Sequence, residues 1–419
     1  MKLIPKPQAH IMQTVPKPIP SVNGQRLLQE LDTLAQIGHD ADGGVTRLAY
    51  SPADREGRAW VQAQMRELGL TIRTDAAGNT IGLYPGQEPL PPLALGSHTD
   101  TVPNGGRYDG ALGVLGALVC VRALYEAGLR LRHPVEVINF AAEEATMSEG
   151  TLGSQAMAGL LKPRLIHQLA WDGRPVSTHL SEAGLDPAEI GEAHRPTGSL
   201  TAYLELHIEQ GGMLEAANIP LGVVEGIVGI RRYVAGFQGF ANHAGTTPMA
   251  GRRDALVLAA PFITQVRDVA VRRGIVGTVG SLRVQPGAPN VIPGYVELDV
   301  ETRSLRENEL DEVEAELAEL AAAAGAEWRQ VGRKPPVESD PRLLAALGAA
   351  CEELGLPYRR MPSGAGHDAM CMAAIAPQAL LFTPSRGGIS HSPQEFTEPE
   401  ACLNGARVLL AALLKLDEL

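Results

Sequence analysis

The segment 96–113, GSHTDTVPNGGRYDGALG, constrains the chain more than any other. A short apolar run (Leu93, Ala94, Leu95) precedes it and a long one (Ala111 to Leu124) follows, with a loop rich in Gly, Pro and Asn between them. That is the pattern of a strand that enters a loop and leaves it as a helix. His98, Asp100 and Asp109 are thereby gathered around one loop, with Asp109 where a helix N-cap would stand. Imidazole and carboxylates grouped this way suit a divalent metal. A polar loop whose Asp109 merely caps the helix is the plainer alternative.

Strand and helix patterns alternate through the N-terminal half. Helical spacing runs from Val22 to Ile37, and a second helix begins at the cap Ser51-Pro-Ala-Asp54 and stops near Gly69. Leu70 to Arg73, Thr80 to Tyr84, Leu93 to Leu95 and Val135 to Phe140 read as strands, which predicts an α/β unit with a mostly parallel sheet. Thr201 to Gln210 alternates, with Leu204, Leu206 and Ile208 on one face and Glu205, His207 and Glu209 on the other, and Leu221 to Val228 is also β-rich.

The pattern then changes. Strands are expected over Arg231–Phe240, Gly277–Val284, Tyr295–Thr302 and Trp328–Val331, with helices over Arg253–Arg273 and Glu307–Ala324. This order is that of a ferredoxin-like α+β unit of about 110 residues. Pro335-Pro336 marks a return to the first domain through helices at Pro341–Leu354 and Pro399–Leu414. The expected division is an extended arm over 1–20, one domain from 21–228 and 339–419, and an inserted domain over 229–338.

Composition narrows the class. A length of 419 residues exceeds one ordinary core, and 44% apolar with 20% charged residues describes a globular chain. The net charge of −12 argues against a nucleic-acid or anionic-membrane partner. Cys120, Cys351, Cys371 and Cys402 form no C-x-x-C pair, which fits inert thiols in a reducing cytoplasm. Five prolines and no signal-like apolar core in 1–20, and no run near the roughly 20 apolar residues of a membrane span, complete the expectation of a cytoplasmic protein.

Other residues extend the first loop. Glu143 and Glu144 follow an apolar strand, where neighbours point to opposite sides, so one can ligate a metal while the other reaches a water; solvated loop glutamates are the alternative. His207 on its strand and His391 in GGISHSP are each weak alone. Together with the first loop they make a nitrogen and oxygen set suited to zinc, manganese or cobalt. The turn NHAGTTP, the PNVIP and Glu301-Thr-Arg303 segments, and the loop SGAGHD, whose backbone donors can face an anion, are further polar clusters.

Six segments, in order from about residue 21 onward, carry a resemblance: GSHTDTVPNGGRYDGALGV, HIEQG, NHAGTTPM, PNVIPG, SGAGHDA and GGISHSP. They resemble the amidase/hydantoinase/carbamoylase group of di-metal hydrolases, relatives of aminoacylases and carboxypeptidase-type metallopeptidases. The group includes N-carbamoyl-L-amino acid hydrolases, allantoate amidohydrolases and β-ureidopropionases. The resemblance implies a di-metal exopeptidase-like catalytic domain and an inserted lid and dimerisation domain in a homodimer. It implies two divalent ions (Zn, Mn or Co) on His98, Asp109, Glu144, His207 and His391, with Asp109 bridging. Glu143 is then the general base, Asp100 orients His98, and His243 polarises the oxyanion. Substrate contacts would come from Gln210, His243, Asn290, Arg303, Gly364 and Ala365, with Arg303 gripping a carboxylate by its planar fork.

The implied reaction is hydrolysis of a linear amide or ureido C–N bond in a small carboxylate-bearing substrate. Aminoacylase or dipeptidase action on the same scaffold is the alternative. A non-catalytic scaffold would lack a ligand or the base, and every such position is present. Ala145-Thr-Met-Ser148 departs from the group's usual Gly and polar-Arg-Phe continuation, and Gly212 replaces a common proline. The reaction is therefore expected to follow the group, while the pocket wall beside the site is this chain's own.

Overall fold

The structure, a computed structural model, describes residues 19–418, so the expected arm over 1–20 lies almost wholly outside the described residues. Six strands come first: β1 (Thr71–Thr74), β2 (Thr80–Tyr84), β3 (Leu93–His98), β4 (Val135–Phe140), β5 (Ala202–Ile208) and β6 (Leu221–Ile227). Four follow, β7 (Gly229–Gln238), β8 (Val276–Gln285), β9 (Tyr295–Ser304) and β10 (Ala326–Lys334), and the chain ends with β11 (Val337–Glu338), β12 (Tyr358–Ser363) and β13 (Gln378–Thr383).

The larger sheet runs β1-β2-β4-β3-β5-β13-β6-β11, with β12 also on β6. Its centre, β4-β3-β5-β13, is parallel, and antiparallel pairs flank it. Matching registers (His98 beside Phe140, His207 beside Phe382) bring the carboxyl ends of these four strands to one edge. The helix Ala111–Glu126 lies against this centre and is buried along 111–124, because it is apolar on every side and covered by the helix Pro399–Leu416. Gly113 permits the close approach: a Cβ there would overlap the Leu206 carbonyl.

Two amphipathic helices join this same layer where expected. Gly24–Ala35 starts at Asn23, whose side chain accepts from the Arg26 amide, and buries Leu27, Leu31 and Leu34. Pro52–Glu67 starts at Ser51 with proline in its first turn. Three expectations need correction. Asp109 does not cap the following helix; Gly110, at φ +62°, stands there without a side-chain cap. The alternating strand has no solvent face: all of β5 is buried because helices cover both sides of the sheet, and Glu205 is satisfied by the Ser97 hydroxyl (2.7 Å) and the Ala369 amide (3.0 Å). The short strand expected at Trp328–Val331 is the nine-residue β10.

Residues 229–334 form a separate antiparallel sheet, β10-β7-β9-β8, covered by the helices Ala255–Arg273 and Glu307–Ala323. This is the strand order of a split β-α-β unit. Its own core gathers Tyr233, Phe237, Phe262, Leu298 and Leu317. Val337 and Glu338 pair with β6 in the larger sheet instead.

One buried cation holds the sheet centre to its helices. Arg58 pairs with Asp54 (3.0 Å) and donates to the carbonyls of Asn139 (3.1 Å) and Phe140 (2.6 Å) at the end of β4. Removing one partner of a buried pair leaves the other charge without compensation, at about 3–5 kcal/mol. Arg58→Met is expected to lower the denaturant stability of the larger unit by about that amount, read from its unfolding midpoint.

Candidate metal centre

The four parallel strands deliver the candidate residues to one edge, where open α/β sheets place their ligands. His98 ends β3, Glu143 and Glu144 follow β4, His207 is the penultimate residue of β5, and His391 lies in the loop after β13. Asp109 reaches the same place from the loop between β3 and the helix Ala111–Glu126.

Asp109 is the hub. Its Oδ1 lies 3.1 Å from His207 Nε2 and 3.9 Å from His98 Nε2, while its Oδ2 lies 3.1 Å from His391 Nε2. His391 Nε2 is also 3.5 Å from Glu144 Oε1. Two sets of three donors result, His98/Asp109/His207 and Asp109/Glu144/His391, each with its ligand atoms within 4.8 Å of one another and sharing Asp109. Glu143 stands beside them, its Oε2 3.7 Å from His98 Nε2.

The imidazoles are oriented from behind. His98 Nδ1 donates to the Asp100 carbonyl (3.0 Å) and His207 Nδ1 to the Ile208 carbonyl (2.9 Å), which turns each Nε2 toward Asp109. Asp100 thus holds His98 through its backbone; its carboxylate accepts the Glu143 amide (3.2 Å) and the Glu144 amide (3.1 Å). Asn79 accepts the Ala141 amide (2.8 Å) and donates to the Gly153 carbonyl (2.9 Å), fixing the chain that leads to the paired glutamates.

The electrostatics show what the donors lack. Burial, then Asp368 and Glu144, push Glu143 well above the carboxylate range, and burial and Asp109 do the same to Glu144. Burial alone would raise Asp109, but hydrogen bonds from His207 and His391 hold it far below that range. Burial lowers His98 to about 4, leaving a neutral donor. Hydrogen bonding to Asp109 lifts His207, against its burial, and His391 to about 9. Three carboxyl groups crowd a buried site among histidines, a donor set in which a bound divalent cation would replace the protons that now offset the charge. The mixed nitrogen and oxygen donors fit zinc, manganese or cobalt.

A further buried group, Glu205/His207/His367, is no third site. His207 has both nitrogens committed, and His367 Nε2 meets the Ser363 hydroxyl at 2.9 Å. Its ring instead packs edge-on against His207 at 4.5 Å between centroids.

A hollow of about 230 Å³ opens over the centre, lined by the five donor residues, Glu143, Gln210, Ala365 and a wall containing Ala145, Thr151, Met370 and Lys334. Gln210 Nε2 donates to Asp109 Oδ2 at 3.0 Å. The other expected substrate contacts do not line it. His243 and Asn290 are exposed on neighbouring loops of the smaller unit, where the Ala244 amide donates to the Asn290 carbonyl. Arg303 pairs with Glu301 (2.7 Å) and donates to the Gly364 carbonyl (2.6 Å). The Ala365 amide is taken by Ser363 Oγ at 3.2 Å.

Sequence reasoning missed Glu395, four residues beyond His391. Buried, it accepts the Tyr108 amide (2.9 Å) and the Asp109 amide (3.1 Å) on Oε1 and the Ser390 hydroxyl (2.8 Å) on Oε2, so it ties the loops of Asp109 and His391 together. Gly106 leaves it room, since a Cβ there would overlap the carboxyl group. The sequence signal was its place just after His391 in HSPQE.

Two outcomes are expected. Glu395→Ala should weaken divalent-metal binding about 10–100-fold, read by competition with a chelator. Because His207 and His391, lifted to about 9, hold protons at neutral pH without an ion, metal uptake should release protons and tighten as pH rises. Calorimetry in buffers of different ionisation enthalpy measures that release.

Known proteins match this arrangement throughout. The model for the peptidase family M20/M25/M40 matches residues 94–415. The chain is 40% identical over 406 residues to an N-carbamoyl-L-amino acid amidohydrolase of Geobacillus stearothermophilus, covering 95% of this chain and 99% of that one. A ureidoglycolate hydrolase of Oryza sativa subsp. japonica is 35% identical, over 94% of this chain and 85% of the relative. A crystal structure of an amidase of the hydantoinase/carbamoylase family from Burkholderia multivorans superposes with a TM-score of 0.88 at 36% identity, covering 95% and 99% of the two chains. With the shared-carboxylate site and the two sheets alike in place, the chain belongs to the peptidase family M20/M25/M40, alongside its hydantoinase/carbamoylase-type amidases.

Proposed function

We propose that the protein hydrolyses the linear C–N bond of an N-carbamoyl amino acid or a related ureido acid, using water activated at a two-metal site with Glu143 as general base. The observation that carries this reading is Asp109 shared between two three-donor sets with Glu143 at their side. The activities named for the Geobacillus and Oryza relatives direct it to ureido compounds.

Two divalent ions at His98/Asp109/His207 and Asp109/Glu144/His391 would lower the pKa of a water and polarise the substrate carbonyl. Glu143, fixed through its amide by Asp100, takes a proton from that water and returns it to the departing nitrogen. The products of a carbamoyl substrate are the free amine and carbamic acid, which decomposes to ammonia and carbon dioxide. His243 Nδ1 accepts from the amides of Gly245 (3.0 Å) and Thr246 (3.2 Å), so its proton sits on Nε2 and is available to a developing oxyanion. Arg303 exchanges Glu301 and the Gly364 carbonyl for the substrate carboxylate, with Asn290, Gly364 and Ala365 as polar neighbours.

His243 and Arg303 belong to the smaller unit, which serves here as a lid over the pocket and as the contact between two copies. The free edge of β8, with exposed Val276 and Leu282, and exposed Val257 and Val271 on the helix Ala255–Arg273, support that assembly. Among the described residues no helix is long and apolar enough to cross a membrane.

The test is a panel of N-carbamoyl and N-acyl amino acids and dipeptides after loading with manganese, cobalt or zinc, following ammonia and free amine together. Ammonia release from ureido substrates is expected; turnover of N-acyl compounds or dipeptides alone would replace this reading. Glu143→Gln should lower kcat by about 10²–10⁴ with its metal content intact. Full activity in that variant would remove Glu143 from the mechanism.

A further inference from the structure

The hollow over the metal centre has one wall without metal donors. Ala145, Gly150, Thr151, Met370 and Lys334 line it. Ala145, Gly150 and Met370 have no charge to offer. The Thr151 hydroxyl is already used, donating to the Gly150 carbonyl (2.6 Å) and accepting from Gln155 Nε2 (3.2 Å). Lys334 is therefore the only side chain on this wall able to hold a charged group, and it is a cation.

Its neighbours show that it is uncommitted. Arg333 is paired with Glu307 and Arg303 with Glu301, yet no carboxylate of the described residues pairs with Lys334. Lys334 is also placed by the frame of the molecule. It ends β10 opposite Ile230, where the chain leaves the smaller unit through Pro335 and Pro336 for β11. Pro336 packs on the other crossing at Gly229, where a Cβ would sit 2.7 Å from Pro336 Cδ. Both crossings meet here, so Lys334 stays beside the hollow whatever position the exposed loops of His243 and Asn290 take.

We propose that Lys334 is a specificity-determining residue that reads a second anionic group on the substrate, so that ureido acids with an acidic side chain are preferred over neutral ones. The inference rests on the ureido-acid reading above, in which Arg303 takes the carboxylate common to all such substrates. The metal donors face the reacting carbonyl, which leaves the donor-free wall to the variable part of the substrate. There a side-chain carboxylate meets the ammonium of Lys334, while an aliphatic chain of equal length places it against nothing.

The test uses full-length, metal-loaded protein with N-carbamoyl-L-glutamate and N-carbamoyl-L-aspartate against N-carbamoyl-L-methionine and N-carbamoyl-L-lysine. Lys334→Met should lower the acidic-to-neutral ratio of kcat/KM about tenfold, mainly through KM, as befits one partly screened ion pair. Lys334→Arg should keep most of the ratio, and Lys334→Glu should turn it toward the lysine derivative. Salt at about 0.5 M should shrink the wild-type preference. Equal losses on all four substrates, or no change on any, would overturn the proposal.

A second readout does not need turnover: glutarate and butyrate binding by calorimetry to wild type and Lys334→Met. A loss confined to glutarate supports the site, and equal behaviour of the two acids sinks it. If no ureido acid is hydrolysed while glutarate binding still depends on Lys334, the reaction has been misread and the anion site stands. If ureido acids are hydrolysed and neither readout responds to Lys334, the reaction stands and the anion site falls.

Discussion

The structure depends on one carboxylate that two sets of donors share. Asp109 places one oxygen before His98 and His207 and the other before His391, beside Glu144. A protein interior tolerates so many acidic groups only when protons or cations offset them. Much of the surrounding architecture prevents that cluster from relaxing. Gly113 lets the helix press on the sheet, Gly106 admits Glu395, and Asp100 clamps the amides of both glutamates. The fold holds these donors together in spite of their mutual repulsion, which is what makes the site receptive to metal.

That receptivity also explains the parallel strands. Each of β3, β4, β5 and β13 ends at the same edge, so a donor placed just after any of them meets the others without a long side chain. Such an edge needs a return path between parallel strands, which the helix Ala111–Glu126 provides between β3 and β4, while the helix Pro399–Leu416, after the last strand, covers it. The candidate metal donors therefore sit at or just beyond one edge of the sheet. The expected substrate contacts sit mostly on loops and on the second unit, where the surface is free to differ between relatives.

Several donors were legible because strand, turn and helix signals place them in one dimension. His98 and Asp109 flank a Gly-rich loop, and Glu143 and Glu144 end an apolar run. What stayed hidden was lateral. β13 is six buried residues with too short an apolar run to separate from a loop, and β12 carries Arg359, Arg360 and Pro362, with its register shifting at the proline. The supports Asn79 and Arg58 lie far in sequence from what they hold, so spacing says nothing of them, and Glu395 lies near His391 but far from Asp109, the other loop it ties. The alternation in β5 suggested a polar surface, because a buried carboxylate with partners looks the same in one dimension as a solvated one. At Asp100 one dimension does not separate backbone from side chain: its carbonyl meets His98 while its carboxylate accepts the glutamates' amides.

The two passages of chain between the sheets, at Gly229 and at Lys334–Pro336, lie side by side, with Pro336 against Gly229. Two adjacent crossings, unlike two distant ones, join the units at a single place, so the position of the smaller sheet over the larger one is set by a few residues, Gly229 and Lys334–Pro336. Arg303, opposite Ile230 and so beside these crossings, meets the Gly364 carbonyl at 2.6 Å, which adds a polar tie between the two units at the same place.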